Sequence, residues 1–469
     1  MSNARLSWIP GGLFLGLAAV LLIVCGPSDR VADTGQKILV IGLDGADWQI
    51  LQPMIEEGDM PVLGRLMREG AWAQLRSSPP LLSPLLWTTV VTGRSPADHG
   101  ILDFLIRDPV KKIKVPITGE YRRVPALWNL FTDAGRSVDV VAWWATWPAE
   151  SIRGRMVTDR VAYSLFGYQS TQADRRGATF PESLLAEIDP LIRDPDSVSY
   201  GEIRRFIAIT REEYDAARQA IRDDPKQAYR DPINHLARIL ASTSTYASVA
   251  RKLLEVDQPD LFLLYFQGID EVSHRFAHFM APRMERISEA DFRKFRSAVR
   301  EFYRYQDELL GELLSVVGKE TVVMVLSDHG FQNGSNRPDD GPADIEGKPA
   351  KWHRLYGIWI LHGPPIRPGA IDVVSINDIA PTILYLADLP LSEQLVGNPI
   401  QAALKKEFLS SHPIVHVPAF DAGDRQPPGP VMVGSPVDEE MVERLRSLGY
   451  LGPAGGETKT TVTYHSNLG

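Results

Sequence analysis

The chain has 469 residues, 44% of them hydrophobic and 23% charged, which is the composition of an ordinary globular protein with one large domain or two. Its net charge of −9, its pI near 5.7 and its lack of a Lys/Arg run exclude an evident nucleic-acid-binding surface. Cys25 is its only cysteine, which excludes a disulfide framework and a cysteine-based zinc site.

The strongly apolar segment of the sequence lies near its start, at residues 13–24, after Arg5 and directly before Cys25. Extended by residues 8–9, it approaches the about 17–20 residues that cross a bilayer core. An uncleaved signal-anchor, a cleaved signal peptide and a lipoprotein signal acylated at Cys25 are all open. Because Val24 is not the small residue that a lipoprotein cleavage site prefers, we favour the anchor, with lipidation next. Either one predicts a membrane-tethered chain outside the cytoplasm, on a periplasmic or extracellular face.

Apolar runs and helical spacing then alternate along the chain. Short apolar or alternating runs predict strands at residues 37–45, 72–75, 137–143, 261–266, 321–326 and 357–361. Helical spacing predicts helices at 47–57, 61–68, 84–92, 127–134, 233–254, 288–317, 376–386 and 438–448. This alternation predicts an α/β fold, with a doubly wound, mostly parallel sheet flanked by helices.

The predicted organisation has four parts. Residues 1–36 are the anchor and linker, and 37–165 with 235–390 form the α/β domain. Residues 166–234 are rich in charged helix formers, lack an obvious strand and predict an inserted helical lobe. Residues 391–469 form a C-terminal extension that ends in a mobile tail after the last helix.

The stretch PPLLSPLLWTTVVTGRSPADHG, residues 79–100, has the punctuation of a short helix. Pro84 stands at its first position and Gly93 just past its end. Ser83 is then the N-cap, beside backbone N–H groups that favour an anion such as phosphate. Taken alone, a purely capping role is the simpler interpretation of Ser83.

Aspartates and histidines follow or precede the predicted central strands. They are Asp44 after the first strand, Asp270 and His274 after 261–266, Asp328 and His329 after 321–326, and His353 before 357–361. Ligands of such sheets bind outside the carboxyl ends of the strands. Nitrogen and oxygen donors without sulfur suit Zn²⁺ or a similar borderline metal. Each residue alone has an ordinary explanation as a turn or cap. The combination is what indicates a site.

This ordered set resembles the alkaline phosphatase superfamily and, within it, the type I phosphodiesterase/nucleotide pyrophosphatase branch. The matching segments are LDGAD, SPLLWTTVVTGRSPADHGI, DEVSH, SDHGF and the histidine before GIWILHGPPI. The resemblance covers residues 37–389. It implies an alkaline-phosphatase-like fold, two divalent metal ions (Zn²⁺, with Mn²⁺ also suited to the ligands) and a small phosphoric ester as substrate.

The resemblance also implies roles for individual residues. One metal ion would be held by Asp270, His274 and His353, and the other by Asp44, Asp328, His329 and Ser83. Ser83 would be the nucleophile of a two-step hydrolysis through a phosphoseryl intermediate. We assign substrate binding to Arg94, Trp143 and Trp144, although tryptophans near a strand end more often belong to the core.

Other functions compete with a membrane-tethered phosphodiesterase. A phosphomonoesterase or a phosphotransferase of the same superfamily fits the same residues. A sulfatase is disfavoured, because Ser83 is followed by PLLW and not by the x-Pro-x-Arg of those enzymes. The non-catalytic alternative is a membrane-anchored binding protein that keeps the fold without the chemistry.

Overall fold

The computed structural model describes residues 36–107, 114–162, 175–224, 227–338, 349–420, 436–448 and 450. The predicted anchor at 13–24 and the predicted acylation site Cys25 therefore lie outside the described residues. Within the described ranges, no helix is both long enough and apolar enough to cross a bilayer.

The strands are short, and most are buried. In chain order they are β1 (Ile38–Leu43), β2 (Ala71–Arg76), β3 (Leu105–Arg107), β4 (Lys114–Pro116), β5 (Val138–Val141), β6 (Gly154–Val157), β7 (Thr179–Phe180), β8 (Leu261–Phe266), β9 (Val322–Leu326), β10 (Gly330–Phe331), β11 (His353–Arg354), β12 (Tyr356–His362), β13 (Gly369–Ala370), β14 (Val374–Ser375), β15 (Leu391–Ser392) and β16 (His416–Val417).

The helices fill the connections between strands. They are α1 (Trp48–Glu56), α2 (Pro61–Glu69), α3 (Ser83–Thr92), α4 (Pro96–His99), α5 (Leu127–Asp133), α6 (Leu184–Ile188), α7 (Tyr200–Phe206), α8 (Arg211–Asp223), α9 (Gln227–Arg230), α10 (Pro232–Val256), α11 (Gly268–Phe276), α12 (Glu289–Phe295), α13 (Ala298–Leu314), α14 (Pro349–Trp352), α15 (Ile379–Leu386), α16 (Lys406–Ser411) and α17 (Pro436–Ser447).

Within the described residues, ten strands form one mixed sheet in the order β13-β2-β12-β9-β1-β8-β5-β6-β7, with β14 also paired to β2. The pairs from β9 through β1, β8 and β5 to β6 are parallel, whereas β12 is antiparallel to both of its neighbours. Strands β1, β8 and β9 are buried along their whole length, as continuous apolar runs predict. The predicted α/β fold class is confirmed.

The predicted helical lobe is not wholly helical. Strand β7 lies within it and pairs antiparallel with β6, so the lobe also extends the sheet at one edge. Helices α7 and α8 of the lobe pack against α10 and α13. Phe206 of α7 and Phe302 of α13 belong to the same hydrophobic core. The predicted lobe boundary at residue 166 lies outside the described residues.

The single long helix predicted at 288–317 is wrong, because the structure has two helices there, α12 and α13. The carbonyl of Lys294, in the last turn of α12, accepts a hydrogen bond of 2.8 Å from the amide of Ala208 in the lobe. The carbonyl thus finds its partner outside the helix, as helix ends require. The break between α12 and α13 coincides with this tertiary contact, and helical periodicity in the sequence does not predict such a contact.

Glycine at position 42 of β1 has no Cβ atom, and this allows α3 to pack closely on the strand. A Cβ atom at Gly42 would lie 2.6 Å from ring atoms of Trp87 in α3. The Trp87 ring is fully buried and also packs edge-on against Trp143 and Tyr265, with centroids 5.2 and 5.1 Å away. Because Ser83 is the first residue of α3, this contact also positions Ser83.

We expect Gly42→Ala to lower the free energy of unfolding by about 1–3 kcal/mol, because the added methyl group must displace a ring that has no free space around it. Urea denaturation measures the change. Gly201→Ala is the matched control, since the nearest atom to a Cβ there is Ser199 Oγ at 3.9 Å. Equal stabilities of the two variants would contradict this packing argument.

Candidate metal centre

Three buried carboxylates lie at the carboxyl ends of three adjacent parallel strands. Asp44 directly follows β1, Asp328 comes after β9, and Asp270 lies in the first turn of α11 after β8. None of the three is more than 1% exposed. Because β9, β1 and β8 are parallel neighbours, their carboxyl ends meet at one edge of the sheet.

These carboxylates oppose one another's ionisation. Burial, followed by the charge of Asp270, raises the pKa of Asp44 to about 7. Burial and the charge of Asp44 raise the pKa of Asp328 well above its ordinary value. Burial also opposes ionisation of Asp270, but the charges and hydrogen bonds of His274 and His353 outweigh it and lower its pKa. A cation among the three carboxylates would remove this penalty.

Three histidines direct their Nε2 atoms at these carboxylates. His274 lies one turn after Asp270 in α11, with its Nε2 atom 3.3 Å from Asp270 Oδ1. The Nε2 atom of His353 is 3.5 Å from the same oxygen and 2.9 Å from His274 Nε2. The Nε2 atom of His329 is 3.4 Å from Asp44 Oδ1. All three rings are buried.

The hydrogen bonds of two of these rings assign their tautomers. Nδ1 of His353 is 3.0 Å from the Leu81 carbonyl oxygen, and Nδ1 of His329 is 3.1 Å from that of Gly330. A carbonyl oxygen only accepts, so each Nδ1 carries a proton, and in the neutral ring each Nε2 presents a lone pair. A lone pair facing an ionised carboxylate oxygen is repulsive unless a proton or a metal cation lies between them. This is the usual arrangement of a metal-binding histidine.

The ligand atoms fall into two overlapping groups. One consists of Asp270, His274 and His353, and the other of Asp44, Asp270 and His329, with the ligand atoms of each group within 4.8 Å of one another. Within the described part of the chain, Oδ1 of Asp44, Oδ1 of Asp270 and Nε2 of His329 have no hydrogen-bond partner. These residues therefore fit divalent cations.

Among aspartates and histidines, the second group differs from the predicted set in one residue. It contains Asp270, which belongs to both groups, and not Asp328. Asp328 remains adjacent, with its Oδ2 atom 3.7 Å from His329 Nε2. The sequence does not indicate that one carboxylate lies between the two sites.

Ser83 lies in this cluster, but it is not the helix cap. Leu82, with φ −122° and ψ 117°, is the N-cap residue of α3, and no side chain caps the helix. The predicted N-cap position of Ser83 is wrong, because Ser83 is itself the first helical residue. Its buried hydroxyl instead interacts with the Asp44 carboxylate and opposes the rise that burial causes in the pKa of Asp44.

The structure does not bring Arg94 to the cluster. Gly93 ends α3 in the left-handed conformation, with φ 61°. Arg94 therefore lies at the opposite end of the helix from Ser83, about 15 Å along the axis. Its guanidinium contacts Gln394 Oε1 at 2.7 Å and Asp98 Oδ2 at 3.6 Å.

The two tryptophans assigned to substrate binding are both buried. The indole N–H of Trp143 donates to the Trp87 carbonyl at 3.1 Å, within the core. The indole N–H of Trp144 donates to the Tyr265 hydroxyl at 2.7 Å, and that hydroxyl donates to Asp44 Oδ2. Trp144 thus reaches the site through Tyr265. Tyr265 was missed, and its only sequence signal is a hydroxyl in the apolar run of β8.

Asp47 is a second residue that the sequence analysis missed, and it connects the segments that carry two histidines. Its carboxylate accepts a hydrogen bond of 2.9 Å from the Phe331 amide, two residues after His329. It also accepts two of 2.6 Å from the guanidinium of Arg354, which follows His353. The same segments pair as β10 and β11. Asp47 was expected only at the start of a helix, in the segment LDGAD.

Tyr450 is a third. Its hydroxyl lies 3.1 Å from Nε2 of His274 and 3.1 Å from Nε2 of His353. The residues after the last helix were predicted to form a mobile tail. Tyr450 instead lies beside two predicted ligands. An aromatic residue two positions after a helix is too weak a signal to predict this contact.

We expect Asp47→Ala to lower the free energy of unfolding by about 3–5 kcal/mol, because it leaves the largely buried Arg354 cation without its carboxylate partner. It should also weaken Zn²⁺ binding, since both histidine segments lose a support. Chemical denaturation and zinc titration measure these effects. In the exposed pair of Arg211 and Asp215, Asp215→Ala should leave stability nearly unchanged, because solvent screens the pair. Similar losses in both variants would contradict the role given to Asp47.

Comparison with known proteins assigns the chain to a protein family. The family model described as type I phosphodiesterase/nucleotide pyrophosphatase matches residues 38–352. That range contains six of the seven predicted ligand residues, from Asp44 to His329, and ends one residue before His353.

The individual proteins that resemble this chain have low sequence identity to it. GPI ethanolamine phosphate transferase 3 of Eremothecium gossypii is 23% identical over 150 residues, which are 30% of this chain and only 13% of that protein. Human ectonucleotide pyrophosphatase/phosphodiesterase 5 superposes with a TM-score of 0.45 and 14% identity, covering 79% of this chain and 100% of the other. A mutant of the alkaline phosphatase PafA gives 0.48 and 13%, covering 79% and 99%.

Proposed function

The chain belongs to the type I phosphodiesterase/nucleotide pyrophosphatase family, and from that premise we propose that it hydrolyses small phosphoric esters with Ser83 as nucleophile and two divalent cations as cofactors. Membership makes the chain a phosphoric-ester hydrolase or transferase. The nucleophile, the metal dependence and hydrolysis of diesters are the parts that we propose.

One observation carries the proposal. The Nε2 atoms of His329 and His353 face the carboxylates of Asp44 and Asp270 at 3.4 and 3.5 Å, and the Ser83 hydroxyl interacts with the same Asp44. Buried acceptors that face one another are costly unless protons or metal cations join them. A serine that only fills the core does not need buried aspartates and histidines around it. Catalysis at Ser83 accounts both for this cluster and for the position of the hydroxyl beside Asp44.

The residues of the chain have distinct tasks in this reaction. Asp270, His274 and His353 would hold one cation, and Asp44, Asp270 and His329 the other, with Asp328 adjacent. When bound, two cations close together stabilise the charge on the attacking and leaving oxygens of a displacement at phosphorus. Asp44 orients the Ser83 hydroxyl, and the N-terminus of α3 favours the negative phosphoryl group.

Two displacements complete the turnover. Ser83 Oγ forms a bond to phosphorus while the bond from phosphorus to the leaving alcohol breaks, and the alcohol takes up a proton. Water then attacks the phosphoserine, which releases the phosphate product and returns the Ser83 hydroxyl. Arg94 lies at the far end of α3 from Ser83, and Trp144 contacts the site through Tyr265.

Phosphoryl transfer to an alcohol is the second candidate. It is favoured by the 150 residues of similarity to an ethanolamine phosphate transferase. Both reactions share the attack by Ser83 and differ in whether water or an alcohol accepts the group. Product analysis with an added alcohol such as ethanolamine distinguishes them, because a transferase yields a new ester and a hydrolase does not.

We expect Ser83→Ala to lower turnover about a thousandfold or more, because it removes the hydroxyl that forms the covalent intermediate. A chromogenic phosphodiester and the matching monoester, each assayed with and without a chelator, provide the measurement. The chelator should abolish activity of the unaltered chain toward whichever ester it prefers.

The metal content of Ser83→Ala is the control, and elemental analysis should find it largely retained. Activity retained in Ser83→Ala would refute the nucleophile. A purified chain that binds no divalent cation and hydrolyses neither ester would favour the non-catalytic alternative.

We also propose that residues 8–25 tether the chain to a membrane, a proposal that rests on the sequence alone. The full chain should fractionate with membranes, and a chain starting at residue 36 should not. Recovery of the full chain in the soluble fraction would contradict the tether. Metabolic labelling with a fatty acid, compared between the full chain and Cys25→Ala, separates lipidation from an anchor.

A further inference from the structure

The C-terminal helix α17 is docked beside the candidate metal centre by buried contacts. Arg444 pairs with Glu271, the residue after Asp270, and both side chains are at most 5% exposed. Arg160 Nη1 lies 2.8 Å from Asp438 Oδ1, in a second buried pair. Met441, Leu445 and Leu448 are also buried.

Tyr450 continues from this helix into the cluster. Its amide donates a hydrogen bond of 2.9 Å to the Leu445 carbonyl, which closes the end of α17. Its ring packs on Phe104 with centroids 4.4 Å apart. The hydroxyl is thereby held between His274 and His353, at 3.1 Å from each Nε2 atom.

Four potential ligand atoms lie close together: Asp270 Oδ1, the Nε2 atoms of His274 and His353, and the Tyr450 hydroxyl oxygen. Five separations among them range from 2.9 to 3.5 Å. Ligands of a tetrahedral zinc ion at about 2.0–2.1 Å from the metal lie about 3.3–3.4 Å from one another. These five separations are therefore close to those between the ligands of a zinc ion.

A hydrogen-bond network satisfies three of these atoms. Without a metal, the Tyr450 hydroxyl can donate its one proton to Nε2 of a neutral His353 and accept a hydrogen bond from Nε2–H of His274. That network leaves Asp270 Oδ1 without a hydrogen-bond partner among the residues that the structure describes. A cation would join this oxygen to both nitrogens and to the Tyr450 oxygen.

We propose that Tyr450 is the fourth ligand of the cation held by Asp270, His274 and His353, and that α17 and Tyr450 form an intramolecular cap on the active site. Catalytic zinc sites keep one position open for substrate or water, whereas sites with four protein ligands are closed. The docked segment therefore represents a resting state. A phosphoryl oxygen must displace the Tyr450 oxygen before reaction. This inference rests on the proposed metal sites.

The test compares zinc binding and catalysis in the full chain and in Tyr450→Phe. Phenylalanine keeps the ring contact with Phe104 and removes only the oxygen. We expect Zn²⁺ affinity at one of the two sites to fall at least about tenfold in a chelator-competition titration of the metal-free protein. At saturating Zn²⁺, kcat/KM for the phosphodiester should rise, because substrate no longer competes with Tyr450.

Two further variants complete the design. Tyr385→Phe is the matched control, since the Tyr385 hydroxyl donates to the His412 carbonyl, outside the cluster, and zinc affinity should not change. A chain ending at residue 448 removes Tyr450 while keeping α17, and it serves if Tyr450→Phe does not fold. It should reproduce the weaker zinc binding and the higher kcat/KM.

The outcomes separate this inference from the proposed function. If the unaltered chain takes up no divalent cation, the metal sites themselves are refuted. If it takes up two, and removing Tyr450 leaves both affinities unchanged, the proposed function stands and the fourth ligand is refuted. Weaker zinc binding together with lower kcat/KM at saturating Zn²⁺ would refute the cap.

Discussion

Repulsion between buried acceptors dominates the edge of the sheet shared by β9, β1 and β8. Asp44, Asp270 and Asp328 are buried side by side, and the lone pairs of His329 and His353 are directed at them. Folding this arrangement without compensation is costly, so the surrounding structure must hold it in place. Asp47 does so by joining the two histidine segments. The close contact of Gly42 with Trp87 does so by seating α3.

Much of this edge can be predicted from the sequence, because the ligands of parallel strands follow their carboxyl ends. Asp44 and Asp328 come directly after apolar runs, and the spacing of Asp270 and His274 is one helical turn. His353 is the instructive case, since it precedes its strand. It reaches the same edge because β12 runs antiparallel to β9, so the start of β12 lies where β9 ends.

The differences from the predicted site have two sources, the exact register of one helix and contacts between distant parts of the chain. The position of Ser83 depends on one residue of helix register, which Leu82 determines through its extended backbone. Arg94 is close to Ser83 in sequence but is separated from it by the whole length of α3. The sharing of Asp270 between two ligand groups, and the return of Tyr450 to His274, join elements far apart in the chain. Periodicity and local motifs carry no information about such contacts.

The position of Tyr450 in the chain has a consequence for biosynthesis. It is made 97 residues after His353. The aspartate and both histidines of its group therefore leave the ribosome well before the tyrosine does. If the proposed cation site forms once the sheet has folded, its three candidate ligands are uncovered on the side that Tyr450 later occupies, and a cation would enter there before the chain is complete.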